Sequence, residues 1–182
     1  INKVAVIGAG TMGCGIASHL SNAGVEVILM DLVTPTGNDR SAIARNAVER
    51  LLKSSPPAFM HRDNATLITP ANLQDDLHLL AQVDWIAEAV VERIDVKRAL
   101  YRTINAHRRP GTFVSSNTST LPLSMLVEEM PKAFREDFCI THFFNPVRYM
   151  RLLEIVAGEH TRPEVIDALT QFCDINLGKG VV

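Results

Sequence analysis

The chain has 182 residues, 47% apolar and 21% charged, the balance of one globular domain with a sizeable core; this excludes a disordered chain. Lys plus Arg total 18 against 20 Asp plus Glu, a net charge of −2, so no strongly basic face is implied and nucleic acid is not expected as a partner. No apolar run approaches the roughly 18 residues of a membrane span, and the short run from Val4 to Ile7 ends at a glycine loop rather than continuing as a signal peptide. Cys14, Cys139 and Cys173 form neither a disulfide framework nor a C-x-x-C pattern. No metal is expected, and a reducing, cytoplasmic compartment is the simplest expectation. The chain opens at Ile1 without Met and closes on Gly180-Val181-Val182, which reads as the start of a strand, so the expectation is a fragment of a longer protein.

Short apolar runs alternate with longer helical patterns, the signature of the α/β class. Val4 to Ile7 is a strand buried on both faces. Thr11 to Ala23 is a helix with Met12, Ile16 and Leu20 at four-residue spacing, ended by Gly24, and Val25 to Met30 is a second strand. Ser41 to Lys53 carries an apolar helical stripe, broken by Pro56-Pro57, and Thr66 to Thr69 reads as a short strand. The long stretch from Thr34 to Gln82 is expected to protrude from the sheet. Trp85 to Ala89 is a strand, Arg93 to His107 a helix on Val96, Leu100 and Ile104, Thr112 to Ser115 a strand, and Leu121 to Met130 a helix. Phe138 to His142 and Leu152 to Ala157 are strands whose connection is too short for a crossover helix, so they pair antiparallel. Thr161-Arg162-Pro163-Glu164 reads as a capping box opening a final helix on Val165, Leu169, Phe172 and Cys173.

Gly8-Ala9-Gly10-Thr11-Met12-Gly13 is a G-x-G-x-x-G run that directly follows a buried strand and opens a helix. Gly8 permits the tight turn, Gly10 lets a pyrophosphate approach the backbone, and Gly13 lets helix and strand pack closely. The free N–H groups of the first helical turn, from Thr11 and Met12 onward, suit a phosphate. Asp31 ends the second strand 21 residues after Gly10, where a carboxylate accepts from ribose hydroxyls and repels a 2′-phosphate; NAD is therefore expected over NADP.

A base is needed to oxidise an alcohol, and histidine suits the task. His61, His78, His107 and His160 read as surface residues, and His19 as a packed or partly exposed helix residue. His142 differs, because it ends an apolar strand at the carboxyl edge of the sheet. Glu154 falls in the returning strand, between Leu153 and Ile155, nearly opposite. A carboxylate in an apolar strand needs a partner, and the imidazole supplies it. The pair reads equally as a base with its orienting acid or as a tie between two strands. Ser115 to Thr120 reads as a helix cap and Glu88 and Glu92 as a solvated helix start, with Lys97 a turn beyond. Arg45 and Lys53 read as a solvated helix face.

Five segments together carry a resemblance: Lys3 to Gly13, Glu88-Ala89-Val90-Val91-Glu92, Ser116-Asn117-Thr118-Ser119, His142-Phe143-Phe144-Asn145-Pro146, and Leu153-Glu154-Ile155-Val156. The chain resembles the NAD-binding domain of the L-3-hydroxyacyl-CoA dehydrogenases of fatty-acid β-oxidation. The resemblance implies a Rossmann-like fold, with a mostly parallel sheet, helices on both faces and antiparallel last strands, over residues 1–182. It implies His142 as base, Glu154 as orienting acid and Ser119 near the reacting carbon. It also implies cofactor contacts from Gly8, Gly10, Thr11, Met12, Gly13, Asp31, Glu92, Lys97, Asn117, Ser119 and Asn145. A 3-hydroxyacyl-CoA substrate is implied, and a further helical domain that closes the acyl-CoA site and forms a homodimer. The Thr34 to Gln82 stretch looks more like the large bacterial enzymes in which a hydratase domain follows. Two other readings stay open: a dehydrogenase of a small non-CoA hydroxy compound, and a non-catalytic, crystallin-like dinucleotide-binding protein.

Overall fold

Why the molecule forms two cores around one sheet follows from the strand residues. Strand β1 (Lys3–Ile7) sends Val4 and Val6 to one face and Ala5 and Ile7 to the other, all fully buried. The first face is covered by α1 (Thr11–Asn22), α2 (Ala42–Leu51) and α6 (Pro163–Ile175) through Ile16, Leu20, Ala44, Ala47, Leu169 and Phe172. The second is covered by α3 (Ile94–His107), α4 (Leu123–Val127) and α5 (Lys132–Glu136) through Tyr101, Ile104, Leu126 and Phe134. The computed structural model describes residues 1–34 and 37–182.

The remaining strands are β2 (Glu26–Asp31), β3 (Ile68–Asn72), β4 (Trp85–Glu88), β5 (Phe113–Ser116), β6 (Phe138–Phe143), β7 (Leu152–Ala157) and β8 (Gly180–Val181). Among the described residues they form one sheet in the order β3-β2-β1-β4-β5-β6-β7-β8. Strands β1 to β6 are parallel; β7 runs antiparallel to β6, and β8 parallel to β7. The sheet is thus the expected Rossmann-like one. Its order reverses between β1 and β4, and a crevice opens outside the carboxyl ends of strands at such a point.

Four sequence expectations need correction. The stretch after Thr34 does not protrude: β3 is the sheet edge, and α2 lies against it through the small residues Ala44 and Ala47. Pro35 and Thr36, within that stretch, lie outside the described residues. The expected strand at Thr66 begins only at Ile68, because Arg62–Leu67 is a 3-10 turn in which the Thr66 hydroxyl donates to Asp63 O. The helix expected over Leu121 to Met130 is α4 alone, and α5 follows separately with Pro131 at its N-cap. Thr161 is not a cap: its hydroxyl donates to Phe138 O at 2.6 Å and accepts from Gly158 N, so α6 starts after Arg162 without a side-chain cap.

Candidate active site

All the candidate residues lie along one edge of the sheet, because five consecutive parallel strands end there. Gly8 follows β1, Asp31 ends β2, Glu92 follows β4, Ser119 follows β5 and His142 lies near the end of β6. The glycine loop has steric reasons for its composition. Gly8 has φ +106°, and a Cβ there would sit 2.6 Å from Ala89 O, the turn after β4. A Cβ on Gly13 would overlap the Gly8 carbonyl oxygen, whereas one on Gly10 would meet nothing within 4 Å. Helix α1 starts at Thr11 with no side-chain cap and no acidic residue in its first turn. Its leading N–H groups, Met12 among them, are therefore left without a side-chain acceptor and suit an anion.

Asp31 is held rigidly: Oδ2 accepts from Ala9 N at 2.5 Å and Oδ1 from Leu32 N at 2.6 Å. It borders a cleft of about 670 Å³ that also touches Gly8, Gly10, Thr11, Met12, Ala89 and Val90. Met12, Ala89 and Val90 in turn border a hollow of about 240 Å³ lined by Glu92, Lys97, Asn117 and Ser119. The cleft and the hollow thus meet at one wall, beside the uncapped helix end. These residues fit an extended dinucleotide.

Of Glu88 and Glu92, which spacing suggested as a solvated helix start, Glu92 is exposed but Glu88 is not, and Lys97 a turn beyond is buried. Glu88 ends β4 and is 1% exposed, as is Lys97. Glu88 Oε1 accepts from Lys97 Nζ and Val90 N, each at 2.7 Å, and Oε2 from Tyr101 OH at 2.8 Å and Ser116 Oγ at 2.7 Å. The buried stripe of α3 is therefore Lys97, Tyr101 and Ile104 rather than Val96, Leu100 and Ile104. Lys97 Nζ is also 3.3 Å from Glu92 Oε2. Glu92 Oε1 accepts from the hydroxyls of Thr118 and Thr120, and these bonds with the Lys97 charge outweigh desolvation and hold its carboxyl below the usual range. Thr118 Oγ1 accepts from Leu121 N, but α4 begins at Leu123 with no side-chain cap, so the run from Ser115 to Thr120 is not the expected helix cap. A carboxylate in the apolar strand Trp85–Glu88 is the same signal that singled out Glu154, and it went unread at Glu88.

In the β6–β7 ladder His142 is directly opposite Glu154. Nδ1 and Oε2 are 2.8 Å apart, with side-chain exposures of 20% and 46%. A carboxylate only accepts, so the bond puts the ring proton on Nδ1 and leaves the lone pair on Nε2. The Phe144 ring lies 4.4 Å from the imidazole, centre to centre. Asn117 Oδ1 accepts from Phe143 N at 2.9 Å, which ties the 240 Å³ hollow to the residue beside His142. Asn145 is not in that hollow: it borders a separate cavity of about 520 Å³ with Gly10, Thr11, Arg50 and Arg148. His61, His78, His107 and His160 are exposed, and His19 is buried with Nε2 3.0 Å from Leu177 O. Arg45 pairs with Asp39 at 2.7 Å. The three cysteines are buried and free. Sequence reading passed over Arg148, which donates to Pro57 O and Phe59 O, and Lys179, buried between two glycines.

The fold and the glycine loop together define a dinucleotide-binding domain. The 3-hydroxyacyl-CoA dehydrogenase, NAD binding domain family matches residues 3–182. A probable 3-hydroxyacyl-CoA dehydrogenase of Deinococcus radiodurans is 44% identical over the whole chain, which covers 53% of that protein. One of Bacillus subtilis is 40% identical, and there the chain covers 25%. The crystal structure of 3-hydroxybutyryl-CoA dehydrogenase from Escherichia coli superposes on the whole chain with TM-score 0.84 at 30% identity, over 38% of that structure. The chain therefore belongs to the 3-hydroxyacyl-CoA dehydrogenase NAD-binding domain family, and its cofactor is NAD. It spans about half the length of the first of these relatives and a quarter of the second. Among the described residues, no helix is long and apolar enough to cross a membrane.

Proposed function

We propose that the protein containing this domain oxidises (S)-3-hydroxyacyl-CoA to 3-oxoacyl-CoA in fatty-acid β-oxidation. The observation that carries this reading is the His142–Glu154 bond, 2.8 Å long, at the edge of the sheet where the dinucleotide cleft opens. His142 takes the proton of the 3-hydroxyl on Nε2, because Nδ1 is committed to Glu154. Glu154 keeps the ring oriented and stabilises the imidazolium that results. Ser119 and Asn117, in the hollow next to Phe143, hold the reacting oxygen and the neighbouring end of the cofactor. Asn145, beside the helix end, contacts the cofactor from the other side of the glycine loop. Gly8, Gly10, Thr11, Met12 and Gly13 receive the pyrophosphate, Asp31 a ribose, and Glu92, braced by Lys97, the second ribose. NAD, when bound, supplies the two-electron acceptor.

The same reading treats residues 1–182 as one domain of a longer protein. A helical domain closes the acyl-CoA site and forms a homodimer. The lengths of the relatives support a longer protein. Three unpaired, buried thiols support a cytoplasmic location.

NADH oxidation with acetoacetyl-CoA, followed by absorbance on the intact protein, tests the proposal. Rapid loss of NADH is the expected result. NADH bound but not consumed would overturn the acyl-CoA reading and favour another hydroxy substrate.

A further inference from the structure

Lys179 is buried, 2% exposed, and the mechanism above makes no use of it. Its ammonium donates to Val147 O and, at 2.8 Å, to Met150 O. Both partners are backbone carbonyls, so the charge is desolvated without an anion to balance it, and burial lowers its pKa to about 8. The Phe143 ring, 5.8 Å from Nζ, offers only a weak cation–π contact.

The two carbonyls belong to the connection between β6 and β7. Its middle is a tight turn in which Tyr149 N and Met150 N both donate to Pro146 O at 3.0 Å. Immediately before the turn are Asn145 and Phe144, whose ring lies against His142. The connection is also held at two other points. Val147 seats on α1 at Gly15, where a Cβ would come within 2.8 Å of its Cγ2, and Arg148 reaches the Pro57 and Phe59 carbonyls. Lys179 supplies the inner hold. It also leads into β8, whose Gly180 and Val181 pair with Leu152 and Leu153, next to Glu154.

We propose that Lys179 is a positioning residue for the His142 site: its ammonium clamps the β6–β7 connection from inside and so fixes Phe144 against the imidazole. The inference rests on the dehydrogenase reading only for its kinetic consequence.

The test replaces Lys179 in the intact protein by Met, which has similar volume and no donor, and reads two quantities. The first is amide hydrogen exchange without substrate. Exchange at Tyr149 and Met150 is expected to speed up by about tenfold or more while β1 stays protected. The second is the kinetic split. A fall in kcat of about tenfold or more is expected, with KM for NAD within about threefold. Lys179→Gln, which keeps an N–H donor, is expected to recover part of both. Unchanged exchange at Tyr149 and Met150, or an unchanged kcat in a folded variant with measurable activity, overturns the proposal. If neither variant folds, Lys179 is a fold element and the proposal also fails. Exchange needs no substrate, so a protein that oxidises some other hydroxy compound still answers the question.

Discussion

Nδ1 of His142 and Oε2 of Glu154 are 2.8 Å apart because the chain reverses once, between β6 and β7, in a register that puts the two residues opposite each other. A shift of one residue would send Glu154 to the other face of the sheet and break the bond. The geometry predicts separable kinetics. His142→Ala is expected to lower kcat by about 10²–10⁴. Glu154→Gln is expected to lower kcat by a smaller factor. Both should leave NADH affinity near that of the parent, read by NADH fluorescence titration beside steady-state rates. Near-parent turnover of His142→Ala would return the pair to a tie between strands.

The glycine loop yields a contrast between two similar substitutions. Gly10→Ala meets open space but puts alanine at an N-cap, so stability should fall by about 1 kcal/mol or less, while NADH binding weakens by about tenfold or more. Gly13→Ala forces a methyl into the Gly8 carbonyl and should cost about 3 kcal/mol or more. Thermal melts and calorimetric titration of both variants check the pair. Equal stability of the two would contradict the packing argument.

Cofactor choice should follow Asp31. Its two oxygens are fixed by Ala9 N and Leu32 N at the edge of the larger cleft. NADH is expected to bind about tenfold or more tightly than NADPH, and Asp31→Asn to narrow that gap. Calorimetric titration with both dinucleotides is the measurement, and equal affinity in the parent would refute the expectation.

The buried network on β4 sets a stability test. Glu88→Gln leaves Lys97 charged with only the partly exposed Glu92 beside it, and about 3 kcal/mol of destabilisation is expected. Adding Lys97→Met removes the stranded charge and should restore part of the loss. Urea unfolding of the single and double variants measures the coupling; strict additivity would rule out the pair as the cause.

Acid sensitivity should arise partly at His19. Burial, then repulsion from Lys179, lowers its pKa from 6.5 to about 4, against the opposing Leu177 carbonyl bond, and Arg148 repels it further. Between those values the unfolded chain binds a proton that the folded chain refuses. The contribution is complete above about pH 6.5 and is lost as pH falls towards 4, in all about 3 kcal/mol. Among the described residues, buried Nδ1 has no hydrogen-bond partner. His19→Gln is expected to flatten the stability curve over this interval in urea titrations; a slope identical to the parent's would exclude His19 as its source.

Much of the site was legible in the chain. Gly8, Gly10 and Gly13 announce a turn after a buried strand, and an acid in an apolar strand announces a partner for Glu154. The same argument applied to Glu88 would have announced a buried partner without naming Lys97, Tyr101 or Ser116. It was missed because a lysine near a helix start ordinarily lies in water, and only the packing of α3 on β4 shows otherwise. The capping box at Thr161 failed for a related reason. A hydroxyl bonds the nearest available group, and here Phe138, the first residue of β6, offered one that the local pattern did not contain.

The sequence by itself determined the alternation of strands and helices, the glycine loop, Asp31 and the antiparallel return that carries Glu154 to His142. Each depends on residues close along the chain, where backbone freedom and period decide the outcome. Only the tertiary structure decided that the segment after Thr34 closes the sheet edge, that Lys97 and Glu88 are interior, and that Lys179 reaches the Val147 and Met150 carbonyls. Those contacts include residues well separated along the chain, Lys179 and Val147 by 32 positions, and the burial that sets their energy exists only once the sheet has formed.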